Sequence, residues 1–305
     1  DPHVIVFLAV LSVIISAFTV LANFTVILAI FRSRDKESAT NKNNRMTKLL
    51  MTSMAASDLI VGIFLMPIRT IQIVYNGKWI LGQQLCGLML TFTNILCGIS
   101  AFHILCMALD KYLAVCKPFV YRKLTVRTGY IMIVLSWLIP VGAFGIPTIK
   151  KWHQTGMEER IALFARLNIC GSLYNKTLIL TMCAFIFYLP VCITYLLYCF
   201  IFQEISMFFK RAPNYNRNVN RNSNILSSPN RGNDRSVPRR SRRFARNMKA
   251  IRTIGTLVVC FTVLCMPMWI FVAVFVYDDY NLPSRVIAIV IWIAQFNSTI
   301  NPLLY

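Results

Sequence analysis

Charge is what this chain has least of. Asp, Glu, Lys and Arg together make up 14% of its 305 residues, while 57% are hydrophobic. Soluble domains carry about a quarter charged residues. So small a charged share leaves no wettable exterior, which excludes a soluble enzyme and a disordered chain. Acids are scarcer still, with 11 against 32 basic residues and a formal net charge of +21. Only three histidines occur, with no nucleophile–base pair or metal-ligand spacing around them. His103, inside an apolar run, reads as packed core. Ten cysteines at this length are too few for a disulfide-dense secreted module. Internal repeats are absent too, which argues against a transporter built from two similar halves.

Uncharged apolar sequence is what the chain has in abundance. Val4 to Phe31, Leu49 to Pro67 (interrupted only by Asp58), Trp79 to Leu109, Gly129 to Ile149, Thr177 to Gln203, Thr253 to Tyr277 and Val286 to Tyr305 form seven runs. A helix of about 20 residues crosses the hydrocarbon core, and continuous rather than alternating apolarity selects helices over barrel strands. The expected fold is therefore an all-α membrane protein, a single bundle of seven transmembrane helices at about 4–31, 48–74, 79–113, 129–149, 177–209, 243–277 and 285–305. Of the 32 basic residues, 24 fall in the connections after spans 1, 3 and 5. The positive-inside rule then places the chain start outside and Tyr305 inside. With the basic residues confined to one membrane face, nucleic acid is not the expected partner. The first run is too long for a signal-peptide core and lacks a cleavage site, and trimmed tails are expected at both ends. Residues 210–242, rich in Asn, Arg, Ser and Pro, read as a flexible basic cytoplasmic loop that attracts anionic lipid.

An ionisable group within a span is a functional hypothesis by default. Asp58 is the carboxylate that needs partners, and Asn23, Ser100, Asn297, Ser298 and Asn301 are the polar residues placed to meet it. Such a ring suits a sodium ion or a proton; a plain interhelical polar network is the alternative. Pro140, Pro190, Pro267 and Pro302 are expected to kink spans 4 to 7.

The ordered anchors Leu21-Ala-Asn23, Met54-Ala-Ala-Ser-Asp58, Cys86, Asp110-Lys111-Tyr112, Trp137, Pro190 with Tyr198, Phe261 with Pro267, and Asn301-Pro302-Leu-Leu-Tyr305 span the whole chain. By them it resembles the rhodopsin-like (class A) G-protein-coupled receptors. Lys117-Pro-Phe-Val-Tyr121 and the run from Trp292 to Pro302 look closest to the biogenic-amine branch. The resemblance implies a plasma-membrane receptor with an extracellular N-terminus, not an enzyme, that relays a small extracellular ligand to a heterotrimeric G protein. It implies a Cys86–Cys170 disulfide, no cofactor beyond an allosteric sodium at Asp58, and coupling through Asp110, Lys111, Tyr112, Tyr198, Phe261, Pro267, Pro302 and Tyr305. Candidate ligand residues are Thr93, Asn94, Cys97, Met182, Ile186, Cys265, Met268, Trp269, Trp292 and Gln295.

The chain also departs from the family. Lys111 stands where the family has Arg, and Cys265 where it usually has Trp. Asn247 replaces a helix 6 acid, from which raised basal activity is expected. Thr93 replaces the Asp that pairs with an amine, and Met182, Cys183 and Ile186 replace catechol-binding hydroxyls. Gln295 in place of Lys excludes a covalent retinal. A neutral or weakly polar ligand, or an amine held differently, is expected in an uncharged pocket. A peptide or lipid-like ligand is the alternative within the class, and a transporter the alternative outside it. Asn175-Lys-Thr is a glycosylation sequon facing outside.

Overall fold

The computed structural model describes residues 2–35, 42–171, 174–223, 239–277 and 284–305. Each expected span is a helix, and no strand occurs among the described residues. We number the long helices α1 (Pro2–Asp35), α2 (42–74), α3 (Gln83–Cys116), α4 (126–149), α5 (176–223), α6 (Arg239–Tyr277) and α7 (Ser284–Leu304). Six are long and apolar enough to cross a membrane, and Ile289–Leu304 is a shorter apolar seventh. Phe7, Leu21, Ile131, Phe185 and Val263 point outward and are exposed. Outward apolar surface on every side suits lipid, not water.

Several bounds differ from the sequence reading, most at the inner ends of α5 and α6 and the start of α3. The backbone is helical through Ser223 and again from Arg239, so 210–223 and 239–242 are helix. The rest of the expected flexible loop lies outside the described residues. α3 starts at Gln83 because Gly82, at φ 79°, breaks the helical path as only glycine readily does. The Trp79 indole folds back to donate to the Gly82 carbonyl at 2.7 Å, and its amide donates to the Asn168 carbonyl, also at 2.7 Å.

Three helices widen by a π turn, at Val61–Leu65 in α2, Val141–Gly145 in α4 and Cys183–Tyr188 in α5. Each ends two residues before a proline: Pro67, Pro147 or Pro190. Proline has no N–H for the carbonyl four residues back, and its ring collides with it. Widening the helix moves that carbonyl aside. Pro140, Pro267 and Pro302, expected as kinks, sit inside α-helix.

α3 is the central post and packs on α2, α4, α5 and α6, while α1 and α7 close the ring against α2. Gly98 sets how near α4 and α5 come to it. A Cβ there would lie 2.8 Å from Ile186 Cγ2 and 3.0 Å from Pro140 Cβ. His103 is buried as expected and stitches helices together. Its Nδ1 faces the Ile99 carbonyl at 2.8 Å, and Nε2 faces Ser53 Oγ, which also accepts from the Trp137 indole. The consistent tautomer donates from Nδ1 and accepts at Nε2.

Candidate functional site

At the outer end, Cys86 of α3 is disulfide-bonded to Cys170 of the long loop between α4 and α5, with Cα atoms 5.6 Å apart. This is the pairing that the resemblance implied. The bond anchors Tyr174 four residues on, which is buried with its hydroxyl 3.2 Å from Thr91 Oγ1 and accepting from Asn94 Nδ2 at 3.5 Å. Burial pushes the Tyr174 phenol above its ordinary pKa, so it stays a neutral donor. The loop thus reaches into the bundle and engages one candidate ligand residue. Asn175 next to it caps α5, its Oδ1 accepting from the amides of Thr177 and Leu178. Its Nδ2, the atom a glycan would take, donates to the Thr155 carbonyl at 3.4 Å.

Below this lid lies a cavity of about 30 Å³, room for about two waters. Thr93, Cys97, Cys265, Met268 and Gln295 from the candidate ligand set line it, together with Ser100, Asn297 and Ser298 from the polar set. The two sets form one continuous lining. Phe261 closes the floor, and Val61 and Leu65, the ends of the α2 π turn, supply the wall. A second cavity of about 10 Å³ lies between α1, α2 and α7, lined by Ser12, Met66, Trp292, Gln295 and others.

Other candidate residues sit elsewhere. Trp269 is fully buried, stacks on Phe187 at 5.1 Å, and donates its indole N–H to Cys97 Sγ at 3.4 Å. It does not line the cavity. Ile186 is buried against Gly98, and Met182 is half-buried outside the cavity lining. Trp292 stacks on Phe296 at 6.2 Å and belongs to the second cavity.

Deeper in, Asp58 is fully buried and accepts from Asn301 Nδ2 at 2.9 Å. Asn23 joins α1 to α7 by donating to the Ser298 carbonyl at 3.0 Å. Ser100 donates to its own helix, at the Leu96 carbonyl. Asp58 Oδ1 and the Oδ1 atoms of Asn23, Asn297 and Asn301 are buried without a partner. One carboxylate with orphaned amide oxygens is the donor set of a hard cation.

At the inner end, Asp110 Oδ2 accepts from Lys111 Nζ at 2.8 Å and from Thr47 Oγ1, while Oδ1 accepts from Tyr121 OH at 3.1 Å. Lys111 also donates to Thr47 Oγ1 and is buried. Tyr198 OH faces the Ile251 carbonyl of α6 at 3.5 Å. Tyr112 packs on Phe200, and Tyr305 OH is buried without a partner. The Asn247 side chain lies outside the described residues.

Sequence reading missed three participants. Thr47 and Tyr121 complete the inner latch but are ordinary residues at ordinary spacings. Arg69 falls inside the expected span 48–74 but was not singled out as a functional residue. The structure buries it within α2, at 4% exposure, so the outer half of the bundle is not uncharged. Its spacing four residues after Leu65 was the available signal.

The family model for the 7 transmembrane receptor (rhodopsin family) matches residues 22–305. Curated relatives include Trace amine-associated receptor 9 of Rattus norvegicus, 28% identical over 287 residues, covering 94% of this chain and 78% of that protein. Trace amine-associated receptor 13c of Danio rerio is 29% identical, covering 94% and 77%. Octopamine receptor beta-2R of Chilo suppressalis is 27% identical, covering 96% and 74%.

Proposed function

The chain belongs to the rhodopsin family of seven-transmembrane receptors, a class A G-protein-coupled receptor and not an enzyme, and on that premise we propose what it senses and how. It lies in the plasma membrane with its N-terminus outside, takes a small ligand between α2, α3, α6 and α7, and passes the signal to a heterotrimeric G protein at the inner face. One observation carries this reading. A single unbroken helix, α3, supplies Thr93, Cys97 and Ser100 to the cavity wall and Asp110 and Lys111 to the inner latch. A ligand that shifts α3 against α6 and α7 therefore acts on both ends.

The mechanism is a population shift. Ligand contacts favour outward movement of α6 about Pro267. Lys111 must leave Asp110 and Thr47 to face the G protein, breaking bonds to a charged group worth about 1.5–3 kcal/mol each. Tyr198, Tyr305 and Pro302 of α5 and α7 repack around it. The Asp58 cluster fits a sodium ion, held by Asp58, Asn297 and Asn301. Bound there, the ion would balance the buried carboxylate and favour the resting packing; its loss would accompany activation.

The relatives are named for amines, but the amine-pairing acid is Thr93 here, and its hydroxyl donates to the Met89 carbonyl at 2.8 Å. An ammonium at this site would be desolvated without a countercharge. We therefore assign a small ligand that is not anchored as a protonated amine. The test is a second-messenger screen of a small-molecule library on the unaltered chain and on Thr93→Asp. A simple arylethylamine should activate only the variant. Equal amine responses in both would sink the missing-countercharge argument.

A further inference from the structure

We infer that the buried guanidinium of Arg69 is a subsite for an anionic group, a carboxylate or a phosphate, on the small ligand. The inference rests on the receptor reading and names the chemistry of its ligand.

Arg69 lies in the outer stretch of α2 (Met66–Val74) and is 96% buried, from a relative exposure of 4%. Its Nη1 donates to Gln72 Oε1 at 2.7 Å, and Gln72 Nε2 donates in turn to the Gly77 carbonyl at 3.3 Å. Gln72 thus fixes one corner of the guanidinium. Nε and Nη2 have no acceptor. These two nitrogens form one edge of the planar fork, and their parallel N–H groups match the two oxygens of a carboxylate or phosphate. A guanidinium does not deprotonate to escape burial. No acid pairs with it among the described residues, where the salt bridge is Lys111 with Asp110 at the opposite end. A buried charge with a free bidentate edge lacks a counter-anion.

Its placement points at the ligand cavities. Residues four apart share a helix face. Leu65, one turn inward of Arg69, lines the main cavity, and Met66 lines the second. Thr70 bonds Ser12 Oγ of α1 at 2.7 Å, and Arg69, one position before it, is buried. Gln295 lines both cavities, is 6% exposed, and leaves both Nε2 and Oε1 unpartnered. Its amide is a second buried donor without an acceptor, in the lining of both cavities. Trp292 and Phe296, stacked beside Gln295, offer an aromatic neighbour. The outward-facing sequence adds a steering field. Lys78, Lys150, Lys151, Arg160, Arg166, Lys176 and Arg285 outnumber Glu158, Glu159, Asp278 and Asp279.

The test uses the purified full chain in detergent and four probes of one aryl scaffold: phenylacetate, phenyl phosphate, phenylacetamide and phenethylamine. Phenylacetate or phenyl phosphate should raise Tm, and whichever does identifies the anion. The amide and the amine should not. Arg69→Gln should weaken the acid about 30-fold or more and abolish its shift. Arg69→Lys, which keeps the charge but loses the fork, should retain part of it. No shift with either acid, an equal shift with the amide, or an undiminished shift in Arg69→Gln would overturn the inference. The comparison of acid with amide needs no variant, so a misfolded Arg69→Gln leaves the test intact. Capture of a heterotrimeric G protein by the unaltered chain, without any acid, tests the receptor reading separately.

Discussion

On the proposed function, Asp58 carries a regulatory input through a single side chain. One oxygen is spent on Asn301, while the other, like the side-chain oxygens of Asn23, Asn297 and Asn301, is buried without a partner. Oxygens cannot satisfy one another, so a cation or bound water is the natural bridge. Sodium should lower agonist affinity of the unaltered chain, with a coupling of about 1–3 kcal/mol or roughly 5–150-fold. Asp58→Asn should abolish that dependence. Radioligand competition in sodium against a bulky organic cation reads it directly, and an equal sodium effect in both proteins would remove the cation from the account. Asp58 and Asn301 were legible in sequence because a carboxylate in a long apolar run has no cheap explanation. Arg69 was not, because it stands near the outer end of its span, two residues beyond Pro67, where a long basic side chain ordinarily reaches water; only the structure shows it buried.

Among the elements, the closest approach lies where α3, α4 and α5 meet. Gly98 leaves no room for a Cβ between Ile186 and Pro140, and Ile186 sits on the π turn that Pro190 imposes on α5. Widening the helix there turns Ile186 inward toward α3. Gly98→Val should cost about 1–3 kcal/mol by overpacking, read as a lower Tm of the detergent-solubilised protein. Ile186→Ala should recover part of it, because it removes the atom met at 2.8 Å. A Gly98→Val melt equal to that of the unaltered chain would mean the helices are not so tightly seated. Helix number and order were legible from apolar run length alone, and the Cys86–Cys170 bond from the family pattern. The π turns were not. Proline marks a broken hydrogen bond but does not say whether the helix kinks or widens, and Pro67 and Pro147 lie near run ends where neither was anticipated.

At the scale of the whole molecule, the inner latch decides how firmly the resting state is held. Asp110 and Lys111 are tied to Thr47 of α2 and to Tyr121 of the short helix Pro118–Lys123, and these bonds run away from α6. Among the described residues no ion pair joins α3 to α6, and the sequence has Asn247 where an acid would supply one. Among the described residues, outward movement of α6 therefore breaks packing and the weak Tyr198–Ile251 contact at 3.5 Å. On the proposed mechanism, what restrains coupling is Lys111 itself, which must be withdrawn from Asp110 before it can meet a partner. Basal second-messenger output should therefore exceed that of cells lacking the receptor. Tyr121→Phe, which deletes one hydrogen bond to the carboxylate worth about 1.5–3 kcal/mol, should raise it further. Cell-surface labelling must show equal receptor numbers for the comparison to count. Agonist-free output level with empty cells, unmoved by Tyr121→Phe, would show that packing of α6 alone holds the receptor shut.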